Sequence, residues 1–517
     1  AGGMALSSLV PATVSSISSL AKSFVAALQI WSLHGLLLTI EAAGLSYVSH
    51  VQVTLGLALD ILLCDENGRV DLQQGVGRLI NAIVAVLGPE LSPGSIFFSR
   101  CKSVVAEISS REETATLLES VRFTQQLVLF APQAVTVHSH VQSLLPTLFS
   151  RQPALRHLAV STLRHLIEKD PASIIDEQIE DTLFHMLDEE TDIEIGNLVR
   201  TTIMRLLYAL CPSCSSHWLS ICRNMILATS TGRDVGTNQN LEHDSLNGLD
   251  GDTRLNFGED DENMVSSSKG IQSYTFDSSS GNPRRVKHLR YRTRVFATEC
   301  LSHLPAAVGK NPAQFDLALA RRQPADGLAS GDWLVLQVQD LISLAYQIST
   351  IQFENMRPIG VGLLSTIVDK FEMIPDPELP GHLLLEQYQA QLVSAVRTAL
   401  DTSSGPVLLE AGLQLATKIL TSGIISGDQV AVKRIFSLIS RPLDNFKELY
   451  YPSFAEWVSC KIKIRLLTAH ASLKCYTYSF LRRQHGGVPD EYLALLPLFS
   501  KSSSTLGGYW ISILKDY

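Results

Sequence analysis

Cysteine and histidine gather only once in this sequence in a way that invites metal chemistry: Cys211-Pro212-Ser213-Cys214, with His217 and Cys222 just behind. Tetrahedral zinc takes four thiolate or imidazole ligands, commonly as two paired sets separated by a loop. Here all the candidates fall within twelve residues, only one CxxC is present, and Trp218, Leu219 and Ile221 interrupt them in a helical run. The spacing predicts a corner between two helices with buried thiols rather than a zinc site. The acids Asp188, Glu189, Glu190, Asp192 and Glu194 could attract a divalent cation, but the string lacks the glycine and ligand spacing of an EF-hand loop. Lying between two apolar helical runs, it reads as a solvated inter-helix turn. Gly75-Val76-Gly77 and Gly360-Val361-Gly362 lack the third glycine and the preceding strand of a dinucleotide loop. No GxxxxGK[ST], HExxH or GxSxG is present. His157, His165 and His303 fall on the polar sides of helices, as surface or groove residues. Nothing combines a nucleophile, a base and an orienting group. No catalytic residue, cofactor site or metal ligand is expected, and the chain does not read as an enzyme.

The elements that would carry these residues are helical almost throughout. Between Arg151 and Pro171, the residues Leu155, Leu158, Ala159, Thr162, Leu163, Leu166 and Ile167 recur at helical spacing, and Arg156, His157, Arg164, His165, Glu168 and Lys169 take the other face. Pro153 sits where a helix begins and Pro171 follows its end. The frame Arg156-x-x-Ala159-x-x-x-Leu163-x-His165-Leu166 returns as Arg294-x-x-Ala297-x-x-x-Leu301-x-His303-Leu304, and more loosely as Arg200-x-x-Ile203-x-x-x-Leu207-x-Ala209-Leu210. A Pro-bearing apolar run, Ser143 to Ser150, is echoed at Ala494 to Ser500; proline inside a helix bends it. A bent helix, a turn and an Arg-bearing amphipathic helix at roughly 40–47 residues is the HEAT pattern. The predicted fold is all-α: an α-solenoid of about ten stacked antiparallel helix pairs. Expected pairs include 383–401 with 406–422, and 428–440 with a helix around 455–481. Alternating strand patterns are absent.

Residues 230–282 break the period and read as a disordered acidic linker between two parts of the array, 1–229 and 283–517. Within 231–263, nine acids face two bases, a net −7 of the chain's −9. A basic run follows: Arg284, Arg285, Lys287, Arg290, Arg292 and Arg294. It is a candidate patch for an acidic lipid or acidic partner, or a solvated approach to the next helix. The remainder is nearly neutral, and the whole chain, at pI ≈ 5.9, lacks the cationic excess of a nucleic-acid binder. Eight scattered cysteines fit a cytosolic chain rather than a disulfide scaffold. The apolar runs Phe24–Ile40 and Val51–Cys64 carry Gln29, Ser32, His34, Gln52 and Asp60, so no transmembrane segment is expected. A start at Ala1-Gly2-Gly3 without an initiator Met fits a piece cut from a longer chain.

The stretches Val199–Tyr208, Tyr291–Leu301 and Tyr450–Trp457 resemble the very large HEAT-repeat proteins typified by plant SWEETIE. Their animal counterpart is a HEAT-repeat subunit that joins aftiphilin and gamma-synergin. The resemblance implies a protein-binding accessory scaffold of the clathrin adaptor, cytoplasmic and recruited to trans-Golgi network and endosomal membranes, and in plants a link to carbohydrate allocation. Phe257-Gly258-Glu259 is similar to the short Phe-Gly-acidic peptides that bind adaptor appendage domains, although Asp260 replaces the apolar residue usual next in such peptides. Armadillo-like architecture also serves nuclear transport and phosphatase assembly. Direct action in carbohydrate metabolism would instead call for paired carboxylates in a pocket.

Overall fold

The structure, a computed structural model, describes residues 7–65, 68–92, 94–109, 113–171, 173–174, 179–228, 289–322, 332–401, 403–425 and 428–444. Up to Ala228 the helices are α1 (Val10–Ala21), α2 (Ala26–Ala43), α3 (Val51–Leu63), α4 (Val70–Leu87), α5 (Ile96–Ser109), α6 (Thr114–Phe130), α7 (Val137–Leu144), α8 (Pro153–Lys169), α9 (Ile179–Glu189), α10 (Ile193–Leu210) and α11 (Ser215–Leu227). From Leu289 onward come α12 (Tyr291–Ala307), α13 (Leu317–Arg322), α14 (Val338–Thr350), α15 (Arg357–Phe371), α16 (Gln389–Ala399), α17 (Pro406–Thr421) and α18 (Gln429–Asp444). Among the described residues the only β-type pairing is one isolated bridge between Pro375 and Leu383.

These helices form the all-α HEAT-type solenoid that the sequence predicts. The even-numbered helices α2, α4, α6, α8, α10 and α12, continued by α15 and α17, pack each on the next as one layer. Their partners α1, α3, α5, α7, α9, α11, α14 and α16 pack against them, each joined to its mate by a short connection except α11 and α12, between which residues 228–290 intervene. In the first part, the layer helices begin at Ala26, Val70, Thr114, Pro153 and Ile193, at intervals of 39 to 44 residues. The repeat extends to the caps: α2 and α4 end at Gly44 (φ +54°) and Gly88 (φ +40°), conformations that a side chain would strain.

The repeated Arg frame is a burial pattern. Ala159, Leu163 and Leu166, then Ile203, Leu207 and Leu210, then Ala297, Leu301 and Leu304 are all buried, at 0 or 1% exposure. They belong to one apolar cluster that runs through successive pairs, because each amphipathic helix closes its stripe only against its neighbours. The pair expected at 383–401 and 406–422 is present as a 3-10 turn (Leu384–Tyr388) and α16, packed on α17. The expected proline bend is different: α7 stops at Leu144, and Leu145–Phe149 is a 3-10 turn with Pro146 at its start. Proline lacks the N–H that would continue the α-helix, and a 3-10 turn accommodates it there. The echo at 494–500, the partner helix at 455–481 and the stretch 450–457 lie outside the described residues.

The run Ala26–Leu63 is long and apolar enough to cross a membrane by length and composition. It is divided into α2, a 3-10 segment (Gly44–His50) and α3, which pack on α1, α4 and α5.

By contacts, Ala1–Leu227 and Arg290–Tyr517 form one compact unit and Ala228–Leu289 another. Of the second, only Ala228 and Leu289 are described; the acidic segment, with Phe257, Gly258 and Glu259, and the cations Arg284, Arg285 and Lys287 lie outside. Within the first unit, α11 packs directly on α12. Because stacked repeats draw stability from neighbour contacts, replacing residues 230–282 by a short Gly-Ser linker is expected to move the melting temperature by no more than about 2 °C. A collapse of the transition would assign that segment a structural role.

Candidate docking groove

Three successive helix pairs meet around the turn between α9 and α10, and the acidic string fastens them. Glu190 is buried, and its carboxylate accepts two bonds from Arg156 of α8, Nε at 2.8 Å and Nη2 at 2.9 Å. The same carboxylate accepts the backbone N–H groups of Thr191 (2.9 Å) and Asp192 (3.0 Å). Asp192 caps α10 by accepting from the N–H groups of Glu194 and Ile195. From the other side, Asp188 accepts the Arg290 N–H (2.8 Å) and the Thr293 hydroxyl (2.7 Å), and Arg292 donates to the carbonyls of Leu187, Asp188 and Glu190. The expected turn is present with Glu189, Asp192 and Glu194 exposed, but Asp188 and Glu190 make it a clasp, because they hold partners from α8 and α12.

This geometry places part of the expected basic patch. Arg290 is exposed, and Arg292 is committed to the α9 carbonyls. Arg294 is buried, donates to the Ile226 carbonyl at 2.8 and 3.1 Å, and lies 4.8 Å from the Phe353 ring centroid. Arg294 therefore ties α12 to the end of α11 and does not face a ligand.

Next to the clasp, an open groove of about 1140 Å³ runs between α8, α10 and α12. The solvent side of α10 forms its length, through Asn197, Arg200, Met204 and Tyr208 at helical spacing. From α8, Arg164 contacts Glu168 at 3.4 Å, and Glu168 also receives Arg205 of α10 at 2.9 Å. From α12, the Phe296 ring lies 5.8 Å from the Arg200 guanidinium carbon, and Glu299 lines the edge. Arg200 Nε is buried and has no hydrogen-bond partner among the described residues. Tyr208 and His303 share a hydrogen bond (3.0 Å) across α10 and α12. His157 is exposed, and His165 lies 3.9 Å from Glu168. The Arg frame singles out Arg200, but not Arg164, Arg205 or Tyr208. The readable signal for the groove is a polar helix face interrupted by Met204 and Tyr208.

At the cysteine corner, Cys211 and Cys222 are buried and Cys214 half-buried, while His217 is directed to Glu180 at 3.8 Å. Among the described residues, no group of three or more His, Cys, Asp or Glu side chains is placed to hold a metal ion. Burial pushes the Cys222 thiol up to about 12 and Cys214 to about 11, and raises Cys211 as well. Thiolate is the reactive form, so among the described cysteines iodoacetamide is expected to label exposed Cys64 first, and Cys211, Cys222, Cys101 and Cys300 only on unfolding. Peptide mass mapping checks the order; native labelling of Cys211 as fast as Cys64 would contradict it.

Residues 333–517 match the family model of the Laa1/Sip1/HEATR5 HEAT repeat region. Over all 517 residues the chain is 72% identical to Protein SWEETIE of Arabidopsis thaliana, of which it spans 23%. It is 31% identical over 112 residues to the AP-1 accessory protein LAA1 of Saccharomyces cerevisiae, a match covering 22% of this chain and 6% of that protein. Yeast importin-β Kap95p overlays 96% of this chain with 48% of its own, at TM-score 0.37 and 10% identity, too loose a likeness to carry an argument. By its repeats, by the family match at 333–517 and by identity along its whole length, the chain resembles the large HEAT-repeat proteins typified by SWEETIE.

Proposed function

We propose that this chain is a section of a non-enzymatic scaffold that binds protein partners in clathrin-adaptor-dependent traffic between the trans-Golgi network and endosomes. The observation that carries the reading is the similarity to LAA1, an AP-1 accessory protein, within a continuous HEAT-type array. Stacked pairs offer long, preorganised surfaces, which suit docking. The α8/α10/α12 groove is one such surface, with polar groups set beside apolar ones. Recruitment from the cytoplasm would draw on adaptor accessory subunits, with Phe257, Gly258 and Glu259 as a short peptide for an appendage domain. Arg284, Arg285 and Lys287 would add peripheral attraction to anionic membranes, about 1 kcal/mol per cation.

Proximity labelling in cells with the full-length protein tests the reading. Enrichment of clathrin-adaptor subunits is the expected result. Enrichment of nuclear-pore components, phosphatase subunits or sugar-phosphate enzymes without coat proteins would overturn it.

A further inference from the structure

The three arginines of the groove are not equivalent. Arg164 and Arg205 both pair with the single carboxylate of Glu168, which offsets one of their two charges. Arg200 has no carboxylate or other hydrogen-bond partner among the described residues. Its Nε is buried, and its guanidinium carbon lies 5.8 Å from the Phe296 ring centroid. One turn earlier on the same face stands exposed Asn197, whose amide can both donate and accept. One turn later comes half-buried Met204, an adaptable apolar surface, and then exposed Tyr208. At 1.5 Å per residue along α10, Asn197 to Tyr208 spans roughly 16 Å, the length of about five residues of extended chain.

We propose that this groove binds an extended acidic peptide of a protein partner, with one carboxylate on Arg200 and a neighbouring aliphatic or aromatic side chain on Met204 and Tyr208. The planar guanidinium fits a carboxylate in two-point contact. The Asn197 amide is placed to bond the peptide backbone. An arginine with no carboxylate partner among the described residues, set beside an apolar stripe and opposite Glu299, suits such a peptide better than a multiply charged lipid headgroup. Glu299 on α12 opposes a ligand carboxylate, so two substitutions in one groove have opposite expected signs. The proposal rests on the reading of the chain as a protein-docking scaffold and names what one of its faces recognises.

The test uses the 517-residue chain and a fluorescein-labelled pool of octapeptides with Asp or Glu alternating with Phe, Leu or Trp. A pool with Lys in place of the acids serves as control. Fluorescence anisotropy is expected to show saturable binding of the acidic pool, at least tenfold weaker in Arg200→Gln and less weakened in Arg200→Lys. Glu299→Gln should tighten it severalfold, and added salt should weaken it. Circular dichroism melts establish that each variant is folded. Absence of saturable binding, equal binding of the Lys pool, or indifference to Arg200→Gln would overturn the proposal. So would Arg200-dependent sedimentation with phosphatidylserine vesicles while the peptide pool fails to bind, which would assign the site to lipid. If the peptide results hold but proximity labelling finds no adaptor, the groove stands and the traffic reading falls. If adaptors are found and Arg200→Gln changes nothing, only the groove proposal falls.

Discussion

Replacing Glu190 with alanine is expected to destabilise the junction of α8, α10 and α12 by about 3 kcal/mol, near the lower end for breaking a buried ion pair. The Glu190 carboxylate is 2% exposed and Arg156 is 16% exposed, so solvent screens their attraction little. The variant leaves Arg156 with only the carbonyls of Ser150 (2.9 Å) and Arg151 (3.2 Å), and strips an acceptor from the N–H groups of Thr191 and Asp192. The two remaining carbonyls keep the cost from the top of the range. In a stacked array the loss is local before it is global. Hydrogen exchange at the start of α8 and across 187–193 should therefore rise on the order of a hundredfold, while α2 and α4 change little. Arg156→Met with Glu190→Leu removes both charges together and should recover much of the loss, because no unpaired ion remains.

Acid should weaken the same clasp. Burial alone would raise the Glu190 pKa, but the Arg156 guanidinium and the N–H groups of Asp192 and Thr191 outweigh it and hold the carboxyl below the ordinary Glu range. A carboxyl depressed on folding contributes its full stability above the unfolded pKa of about 4.3 and loses it as the pH falls through the folded value. Glu190→Ala should therefore match the parent more closely in acid than at neutral pH. A difference unchanged between pH 7 and pH 3 would mean that the pair is not held as described.

The layer helices were legible because burial imposes a 3.6-residue period on each one. Leu163, Leu207 and Leu301 declare their facing positions without reference to any partner. The clasp was not legible, because its value lies in contacts between residues far apart in sequence. Glu190 belongs to an acid-rich turn that looks solvated until α8 delivers Arg156 and α12 delivers Arg292. The same limit hid the fate of the basic run. Six closely spaced cations read as one patch, yet α12 turns Arg294 inward to the Ile226 carbonyl, while Arg290, just before the helix, stays exposed. The groove lies between these cases. The α10 face that lines it can be drawn from sequence, but its depth depends on how far α8 and α12 stand from that face.

Two glycines that resemble a nucleotide loop should behave oppositely when replaced, and for reasons of packing. Both Gly360 and Gly362 lie in α15, where alanine is intrinsically preferred by about 1 kcal/mol. At Gly362 an added Cβ meets nothing within 4 Å, so Gly362→Ala should be neutral or stabilise by up to that amount. At Gly360 the same atom would lie 2.7 Å from the Ser349 backbone nitrogen and 2.8 and 2.9 Å from the Ile348 side chain. The backbone nitrogen and the branching carbon of Ile348 cannot swing aside as the tip of a long chain would. Relief requires α14 and α15 to separate, opening contacts around Ile348, Val361 and Leu364, which are fully buried. Overpacking of this kind costs about 1–3 kcal/mol, and loss of a close backbone approach places Gly360→Ala near 3 kcal/mol. Gly77 and Gly412 are in the same position, with added Cβ atoms 2.8 Å from Glu119 Cβ and Ala399 Cβ. The tight glycine of each Gly-x-Gly therefore serves the contact between helices, while its neighbour faces open space or a mild contact. Chemical denaturation with hydrogen exchange across α14 separates the two variants. If Gly360→Ala is as stable as Gly362→Ala, the close approach of α14 to α15 is not what selects glycine there.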